Sequence, residues 1–559
     1  MTGDDRDVDR YDRRTFLGRS AAGAAALALG GIGGPVLLSG CSSSSSASTS
    51  AKPGVGTGTP KRGGTLTVGL NSDIDGFLPS TNHFDNSGIV YANTVYDTLT
   101  AVAADGTAQP YLAQSISSNA DRTVWTLSLR PDVTFHDGSA LTADVVVANF
   151  RALQQSPLTG QAVKVITGVS ATGPLTVQYT ASEPLVAFPY YLATQVGYVV
   201  ALAQLDSADP SSHPIGTGPF VFDSWEPNDH FTARRNPNYW RAGLPYLDSI
   251  TYKPIAQDQS RQSSLQSGTI ELMVTRDPNA IVSLQRDPSF QQVTDANPAH
   301  GQNDVGFIYL NTAVDPLSDL TVRQALACAT DTAQIAKLFG AGVLQPITSP
   351  YPEGSPYRAP DNGYPSYDLA KAKTLVAQAA PRHGGTIKVE LATIPDPRLS
   401  ELVQAVQSMW GAAGVQATVS QIEQVTFIDN LALGSFQAYT GDQFDAADPD
   451  ENYVWWSPTS AGPPGTIALN FTRNKDPELE AALQAGRTNP DPSARAQAYQ
   501  QVDTLLARDL PYLWLTTNVW SMTGTDKVQN FDNPTLPGGQ PARGMTAGYF
   551  TPTEFWVEP

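Results

Sequence analysis

Hydrophobic and polar residues follow regular spacings along most of the chain. Alternation in TLTVGL (65–70) and VWTLSLR (124–130) predicts two strands, because successive side chains of a strand point to opposite faces. Apolar residues recur at helical spacing in 399–415, which predicts an amphipathic helix that ends at Gly414. An alternating segment, 415–422, follows directly. This helix-turn-strand unit is typical of an α/β lobe.

The stretch VTFHDGSALTADV (133–145) sets His136, Asp137 and Ser139 close together, which are the three residue types of a hydrolytic triad. The residues fall between a strand-like segment and a helix for which Thr142 is a suitable N-cap. Triad residues usually converge from separate segments with specific hydrogen-bond geometry. We therefore interpret this stretch as a turn and not as an active site.

The N-terminal region predicts export. Twin arginines at 13–14 precede an Ala- and Gly-rich apolar stretch, 21–38, which is typical of a cleaved signal and not of a spanning helix. The following LSGC resembles a bacterial lipobox, in which Cys41 would be acylated and become the first mature residue. We expect an export signal in 1–40, a flexible linker in 41–62, and a mature protein anchored by lipid to the outer face of the cytoplasmic membrane.

Composition narrows the class of partner. The 559 residues suggest about two to four domains. Lys and Arg number 34 against 53 Asp and Glu, a net charge of −19, which argues against nucleic acid and favours neutral or cationic ligands. Besides Cys41 the chain has only Cys328, so it has no disulfide framework, and we expect Cys328 to be a buried residue of a helix.

Signatures of enzyme chemistry and of metal binding are weak. The six histidines lack metal-ligand spacing, and neither a nucleophile elbow nor a phosphate-binding loop is present, so we expect no metal and no cofactor. Catalysis by a pair of carboxylates remains an alternative, because one sequence does not show which carboxylates meet in space. The segment FDAADPDENYVWW (444–456) combines acids with aromatic residues, which suits a peptide pocket, or equally an acidic loop over buried tryptophans.

Nine segments in order resemble the family 5 extracellular solute-binding proteins, the peptide- and nickel-binding components of ATP-driven importers. The resemblance runs from Gly63 to about Phe531. The segments are GGTLTVGL, VYDTLTAVAADGTAQPYLAQS, TLSLRPDVTFHDGSALTADVVVANFRAL, PIGTGPFVFDSW, RNPNYWRAGLPYLDSI, LQSGTIEL, VRQALACATD, YDLAKAKTLVAQA and DAADPD.

The resemblance implies a two-lobed α/β periplasmic-binding-protein fold with an extra inserted domain and hinge closure over a ligand. We expect a first lobe formed by 63–92, 208–306 and 523–559, an inserted domain at 93–207 and a second lobe at 307–522. The implied partners are an oligopeptide or other small solute and the permease and ATPase subunits of an importer. The protein would be a monomeric binding protein and not an enzyme.

The resemblance also implies binding residues near an Asp-Pro motif. Counting back from Asp448 places Asp445 where peptide-binding members hold the peptide's α-ammonium, and Asp442 stands where many members have Trp. From the composition of the segment 444–456, and not from the resemblance, we expect Tyr453 and Trp455 to form aromatic walls of the same site.

Two further segments could contribute to the site. Dipeptide-binding members carry an Arg for the ligand carboxylate where this chain has Thr393 and, a few residues on, Arg398. This departure argues against strict dipeptide specificity and favours longer peptides. From the first lobe we expect Asp73, in the loop after 65–70, because ligands bind beyond the carboxyl ends of such strands.

The leading hypothesis is thus an exported lipoprotein that binds oligopeptides for import. Alternatives are a binding protein for a sugar, a metal chelate or another nutrient, an exported hydrolase, and a lipoprotein that docks a protein partner.

Overall fold

The structure, a computed structural model, describes residues 58–156, 159–295, 304–443 and 446–558. The predicted export signal, Cys41 and most of the linker lie outside these ranges. In chain order the described strands are β1 (Thr65–Leu70), β2 (Thr100–Val102), β3 (Ala108–Pro110), β4 (Ala113–Ser118), β5 (Val124–Leu129), β6 (Ile166–Gly173), β7 (Thr176–Ala181), β8 (Phe220–Glu226), β9 (His230–Arg235), β10 (Ser249–Pro254), β11 (Leu272–Thr275), β12 (Phe290–Thr294), β13 (Val305–Leu310), β14 (Lys388–Thr393), β15 (Gln416–Gln421), β16 (Ala438–Gln443), β17 (Tyr512–Thr517), β18 (Ser521–Thr525), β19 (Val528–Gln529) and β20 (Trp556–Val557).

The described α-helices are α1 (Asn86–Val95), α2 (Ala143–Gln155), α3 (Thr159–Ala162), α4 (Phe188–Tyr191), α5 (Leu202–Leu205), α6 (Asp258–Gln266), α7 (Pro278–Gln285), α8 (Leu320–Ala329), α9 (Thr332–Phe339), α10 (Leu369–Ala379), α11 (Pro397–Ala413), α12 (Gln424–Leu433), α13 (Tyr453–Trp456), α14 (Pro477–Thr488) and α15 (Pro492–Asp509).

The first lobe is built on a seven-stranded sheet with the strand order β12-β18-β11-β1-β10-β9-β8. β1 lies parallel to β10 and β11, and the other neighbours pair antiparallel. Leu66 and Val68 of β1 are buried in a core that α1 covers with Val90, Tyr91 and Val95. This confirms the predicted strand at 65–70.

The segment between α1 and β8 forms a separate antiparallel sheet with the order β4-β5-β7-β6, and α2 packs against it. Trp125, Leu127 and Leu129 of β5 are buried on one face, as the alternation predicts. Its hydrophobic core extends from Leu99 to Ala201, within the span expected for the inserted domain.

The second lobe contains a five-stranded sheet with the order β15-β14-β16-β13-β17. Helices cover both faces of this sheet. Alternate residues of β17 therefore lie in two different hydrophobic cores. Leu513 and Leu515 pack with α8, α10 and α11, whereas Tyr512 and Trp514 pack with α14 and α15. Cys328 is buried in α8, as expected.

The chain changes from the seven-stranded sheet to the five-stranded sheet between β12 and β13, and among the described residues it crosses back through 518–520, between β17 and β18. The sequence predicts that the chain returns to the first lobe after residue 522. This boundary falls inside β18, and the whole of β18 pairs within the seven-stranded sheet of the first lobe. Trp520 anchors this crossing, since its backbone N–H donates to Asp295 (2.8 Å) and its indole N–H donates to Asp304 (2.9 Å).

The helix predicted over 399–415 is confirmed as α11. Its N-cap Asp396 accepts a hydrogen bond from the Leu399 N–H, and Gly414 ends it with φ of 98°, a left-handed conformation that glycine adopts freely. Val406 and Trp410 are buried on its inner face. β15 follows, which completes the predicted helix-turn-strand unit.

Candidate functional site

A cavity of about 1030 Å³ lies where the second lobe faces the inserted domain and the first lobe. Its apolar wall comes mainly from the second lobe and includes Ile335, Phe339, Ile394, Leu399, Leu402, Phe427, Ile428, Leu431, Ile467, Leu469 and Phe471. Ile428 and Ile467 are 49% and 81% exposed, respectively, so part of this wall is an open apolar surface. Such a surface suits the apolar parts of a solute.

Asp442 and Arg276 form an ion pair that joins the two lobes across this cavity. Asp442 lies in β16, Arg276 follows β11, and their side chains are 2.9 Å apart. The Asn518 side-chain amide donates to Asp442 (2.9 Å) and to Asp304 (2.8 Å). Burial raises the pKa of the Asp442 carboxyl, but Arg276 and Asn518 outweigh it, so the pKa is lowered and the group stays ionised.

Asp304 lies beside this ion pair, and its pKa is shifted in the direction opposite to that of Asp442. Burial and the neighbouring charge of Asp442 raise the pKa of Asp304 to about 6. Its carboxylate accepts hydrogen bonds from Asn518 and Trp520, which both belong to the second crossing between lobes. The ion pair at the cavity is therefore hydrogen-bonded, through Asn518, to the segment 518–520 that crosses between the lobes.

Arg398 is a cation of the cavity that lies near the carboxylates of Asp442 and Asp396 but pairs with neither. It is half-buried in the first turn of α11, where the helix dipole does not favour a positive charge. Its guanidinium forms no hydrogen bond or ion pair with any residue that the structure describes. Burial and nearby Arg276 lower its pKa, although the group stays charged at neutral pH. An anionic group of a solute would supply the missing partner.

Tyr453 and Trp455, the predicted aromatic walls, line the same cavity from α13. The Tyr453 hydroxyl donates to Glu480 (2.6 Å), and its ring lies under the Arg487 guanidinium at 3.5 Å. Trp455 packs against Phe471, with the ring centroids 5.4 Å apart. These contacts fix the aromatic side chains before any solute enters.

The other predicted site residues do not join this group. Asp73 does not line the cavity; its carboxylate accepts hydrogen bonds from the Asn228 N–H (2.7 Å) and the Trp225 indole (3.2 Å). It therefore fixes a loop of the first lobe. Asp445 lies outside the described residues, and so does Cys41.

Charge around the cavity differs from that of the whole chain. Among the described lining residues the charged side chains are Lys164, Glu183, Arg276, Arg398, Asp442 and Arg487, four cations against two carboxylates. The prediction of neutral or cationic ligands from the net charge is therefore not supported by this lining. Net charge averages over the whole surface, whereas a solute meets only the few groups that face it.

The residues His136, Asp137 and Ser139 form the turn that the sequence predicts. The His136 ring donates to the Gly218 carbonyl (3.0 Å) and accepts from the Gly216 N–H (3.3 Å). Burial lowers its pKa to about 4. Ser139 donates only within the turn, to Asp137 (2.6 Å). The imidazole is thus occupied by backbone groups and is not positioned as a general base.

The described residues contain neither a membrane-spanning helix nor a cluster of metal ligands. No helix in these ranges is both long enough and apolar enough to cross a membrane. The same residues contain no group of three or more His, Cys, Asp or Glu side chains arranged to hold a metal ion.

Sequence reasoning missed Arg276, Lys164, Glu183, Arg487 and Asn518. Each comes from a segment far from the Asp-Pro motif, and no local spacing marks it. The pairing of Arg276 with Asp442 joins residues 166 positions apart. Only the fold brings them together.

Comparisons with known proteins agree with this architecture. A family model described as bacterial extracellular solute-binding proteins, family 5 Middle, matches residues 107–464, more than half of the chain. A glutathione-binding protein GsiB from Pectobacterium atrosepticum is 26% identical over 435 residues, covering 75% of this chain and 82% of that protein.

Solved structures share the fold. The periplasmic binding protein DppA from Helicobacter pylori, in complex with the peptide STSA, has a TM-score of 0.77 at 21% identity and covers 89% of this chain and 99% of its own. The binding protein AgaA from A.tumefacien R10, in complex with agropinic acid, has a TM-score of 0.76 at 21% identity, with coverages of 89% and 99%. The chain belongs to the family 5 bacterial extracellular solute-binding proteins, which are binding components of ATP-binding-cassette importers and not enzymes.

Proposed function

We propose that the protein captures oligopeptides in the cavity between its lobes and delivers them to the permease of its importer. The observation that carries the proposal is Arg398, a half-buried guanidinium without a described partner that faces a largely apolar cavity. A peptide presents the complementary groups: a terminal carboxylate for Arg398 and side chains for the apolar wall.

The size of the cavity supports a ligand larger than a single amino acid. Its volume of about 1030 Å³ lies at the upper end of the range for sites that enclose a drug-sized molecule. The pairing of Asp442 with Arg276 leaves Asp442 poorly suited to bind an ammonium group. We assign that role to Asp445, which the resemblance indicates. Tyr453 and Trp455 would contact the side chains.

A carboxylate-bearing solute that is not a peptide is the second candidate. The excess of cations among the described lining residues favours any anionic solute of suitable size. AgaA, which shares the fold, is in complex with agropinic acid, whereas DppA is in complex with a peptide. The terminal groups of the solute therefore distinguish the two candidates.

Export and anchoring belong to the same proposal. The twin arginines and the LSGC sequence support cleavage before Cys41 and acylation of its thiol, with 41–62 as a spacer between membrane and lobes. We propose a monomer with the predicted lobes, 63–92, 208–306 and 523–559 in the first, 93–207 inserted, and 307–522 in the second. Two of these bounds shift by two residues, so that β13 lies wholly in the second lobe and β18 wholly in the first.

Calorimetric titration of the mature chain tests the proposal. A tetrapeptide with a free carboxyl terminus, such as alanyl-leucyl-phenylalanyl-alanine, is compared with its C-terminally amidated and N-acetylated forms. Oligopeptide capture predicts binding of the free peptide and a loss with either modification. Binding of small organic acids, together with no binding of a varied tetrapeptide library, would instead support the second candidate.

A further inference from the structure

The inserted domain and the second lobe meet in a buried polar cluster that includes none of the crossing segments. Tyr191 of α4 comes from the inserted domain, and Asp450 and Arg487 come from the second lobe. The Tyr191 hydroxyl lies 2.8 Å from Asp450 Oδ2 and 3.0 Å from the Asp450 carbonyl oxygen. Arg487 donates to Asp450 Oδ1 (3.0 Å) and to the Tyr191 hydroxyl oxygen (3.1 Å).

The ion pair in this cluster belongs to a single lobe. Asp450 and Arg487 are both on the second lobe, so they stay paired when the lobes separate. Tyr191 is the group that separation would remove, together with a hydrogen bond from the Val186 N–H to the Arg487 carbonyl (3.2 Å) and a 3.3 Å contact of Arg487 with Glu183. The Asp450 and Arg487 side chains are 0% and 5% exposed here. Separation of the lobes would therefore expose a charged pair that is buried and fully hydrogen-bonded here.

The same residues face the solute. Arg487, Glu183 and Tyr453 all line the cavity, and the Arg487 guanidinium stacks on the Tyr453 ring at 3.5 Å. Asp450 lies one turn before Tyr453 in the chain, in the short helix Pro449–Asn452. A solute that packs on Tyr453 and Arg487 would hold Arg487 in place, together with the Asp450 carboxylate that it pairs with. These are the two groups that hydrogen-bond to Tyr191.

We propose that Tyr191, Asp450 and Arg487 form an interlobe latch that completes only on closure and sets how long a captured solute is retained. Hinge closure is the usual motion of two-lobed binding proteins, and a hydrogen bond to a buried charged group is strong enough to bias it. Burial raises the pKa of Tyr191 well above its ordinary value, so the hydroxyl is a donor at every physiological pH.

Tyr191→Phe tests the latch, with Tyr179→Phe as the matched control. Tyr179 is a buried tyrosine of the same domain whose hydroxyl has no hydrogen-bond partner among the described residues. Both substitutions remove one oxygen and keep the ring. Only Tyr191→Phe removes a contact between lobes.

Spin labels on Arg151→Cys in the inserted domain and Lys388→Cys in the second lobe report closure through their distance distribution; both parent residues are exposed. The protein is measured as isolated and after saturation with a mixed tetrapeptide library. We expect Tyr191→Phe to lower the ratio of closed to open molecules roughly tenfold or more, and Tyr179→Phe to leave it unchanged. Thermal unfolding verifies that both variants fold.

Two results would overturn the latch. One is a closed fraction for Tyr191→Phe equal to that of the parent. The other is a parent protein that binds the tetrapeptides by calorimetric titration and yet stays open, because the contact would then not form in solution. The latch rests on the proposed function, and a parent that binds no tetrapeptide would contradict that function instead.

Discussion

Replacing Arg398 with methionine should weaken peptide binding without lowering the stability of the fold. The guanidinium has no described partner, so its removal breaks no ion pair of the folded protein. Burial and Arg276 lower its pKa, which means that folding disfavours its charge. We therefore expect the free energy of unfolding of Arg398→Met to stay the same or to rise.

The affinity for a carboxylate-bearing peptide should fall. A charge-assisted hydrogen bond to a ligand contributes about 1.5–3 kcal/mol, which corresponds to a roughly 10- to 150-fold increase in Kd. Arg398→Lys keeps the charge but loses the two-pronged geometry, so its Kd should lie between those of the parent and Arg398→Met. Calorimetric titration with the free and the amidated tetrapeptide measures both effects.

Arg276→Met is the matched comparison. It removes the ion-pair partner of Asp442 and leaves Asp304 and Asp442 close together, with Arg398 as a nearby cation that pairs with neither. The pair is partly exposed, so we expect a loss of about 1–2 kcal/mol of stability. An Arg398→Met variant with unchanged Kd, or one that loses as much stability as Arg276→Met, would refute the assignment of Arg398 as a solute-facing cation.

Three further predictions concern pH, a loop and the anchor. The raised pKa of Asp304 means that the folded protein binds a proton more tightly than the unfolded chain, so this group's contribution to stability improves as pH falls from about 6 towards 4. Asp304→Asn should abolish that gain, a change of roughly 1–3 kcal/mol between pH 7.5 and 4.5 by chemical denaturation; an equal effect of the substitution at both pH values would contradict it. Asp73→Ala should lower stability by about 1–2 kcal/mol and leave peptide affinity unchanged, because Asp73 bonds to its own lobe; a weaker affinity would return it to the site. Cys41→Ser should release the exported protein from the membrane fraction, as immunoblotting of fractionated cells would detect; unchanged membrane association would contradict acylation.

The local pattern of apolar and polar residues was sufficient to predict a helix or strand wherever that element buries one face. α11 and β15 follow from apolar spacing and from Gly414, which are encoded within one stretch of chain. The turn at His136 could also be recognised, because neighbouring residues seldom form a triad. Its role in contacting the backbone of Gly216 and Gly218 could not, since those residues are some 80 positions away.

The cavity was predictable only in part. Tyr453 and Trp455 were selected from one unusual segment and Asp442 and Arg398 from the family resemblance, and the fold brings these four together. Asp73 sits after a strand, as ligand-binding residues often do, but its carboxylate is used by Trp225 and a backbone N–H. Long-range partners decide which polar residue is free to bind, and a single sequence does not encode them locally.

Mass spectrometry of small molecules released by denaturing the natively purified mature domain without its linker, Gly63 to Pro559, tests the central claim most directly. Oligopeptide capture predicts a set of short peptides from the parent protein, and a markedly reduced yield from Arg398→Met purified in parallel. A single non-peptide species, or peptides retained equally by both proteins, would contradict the account.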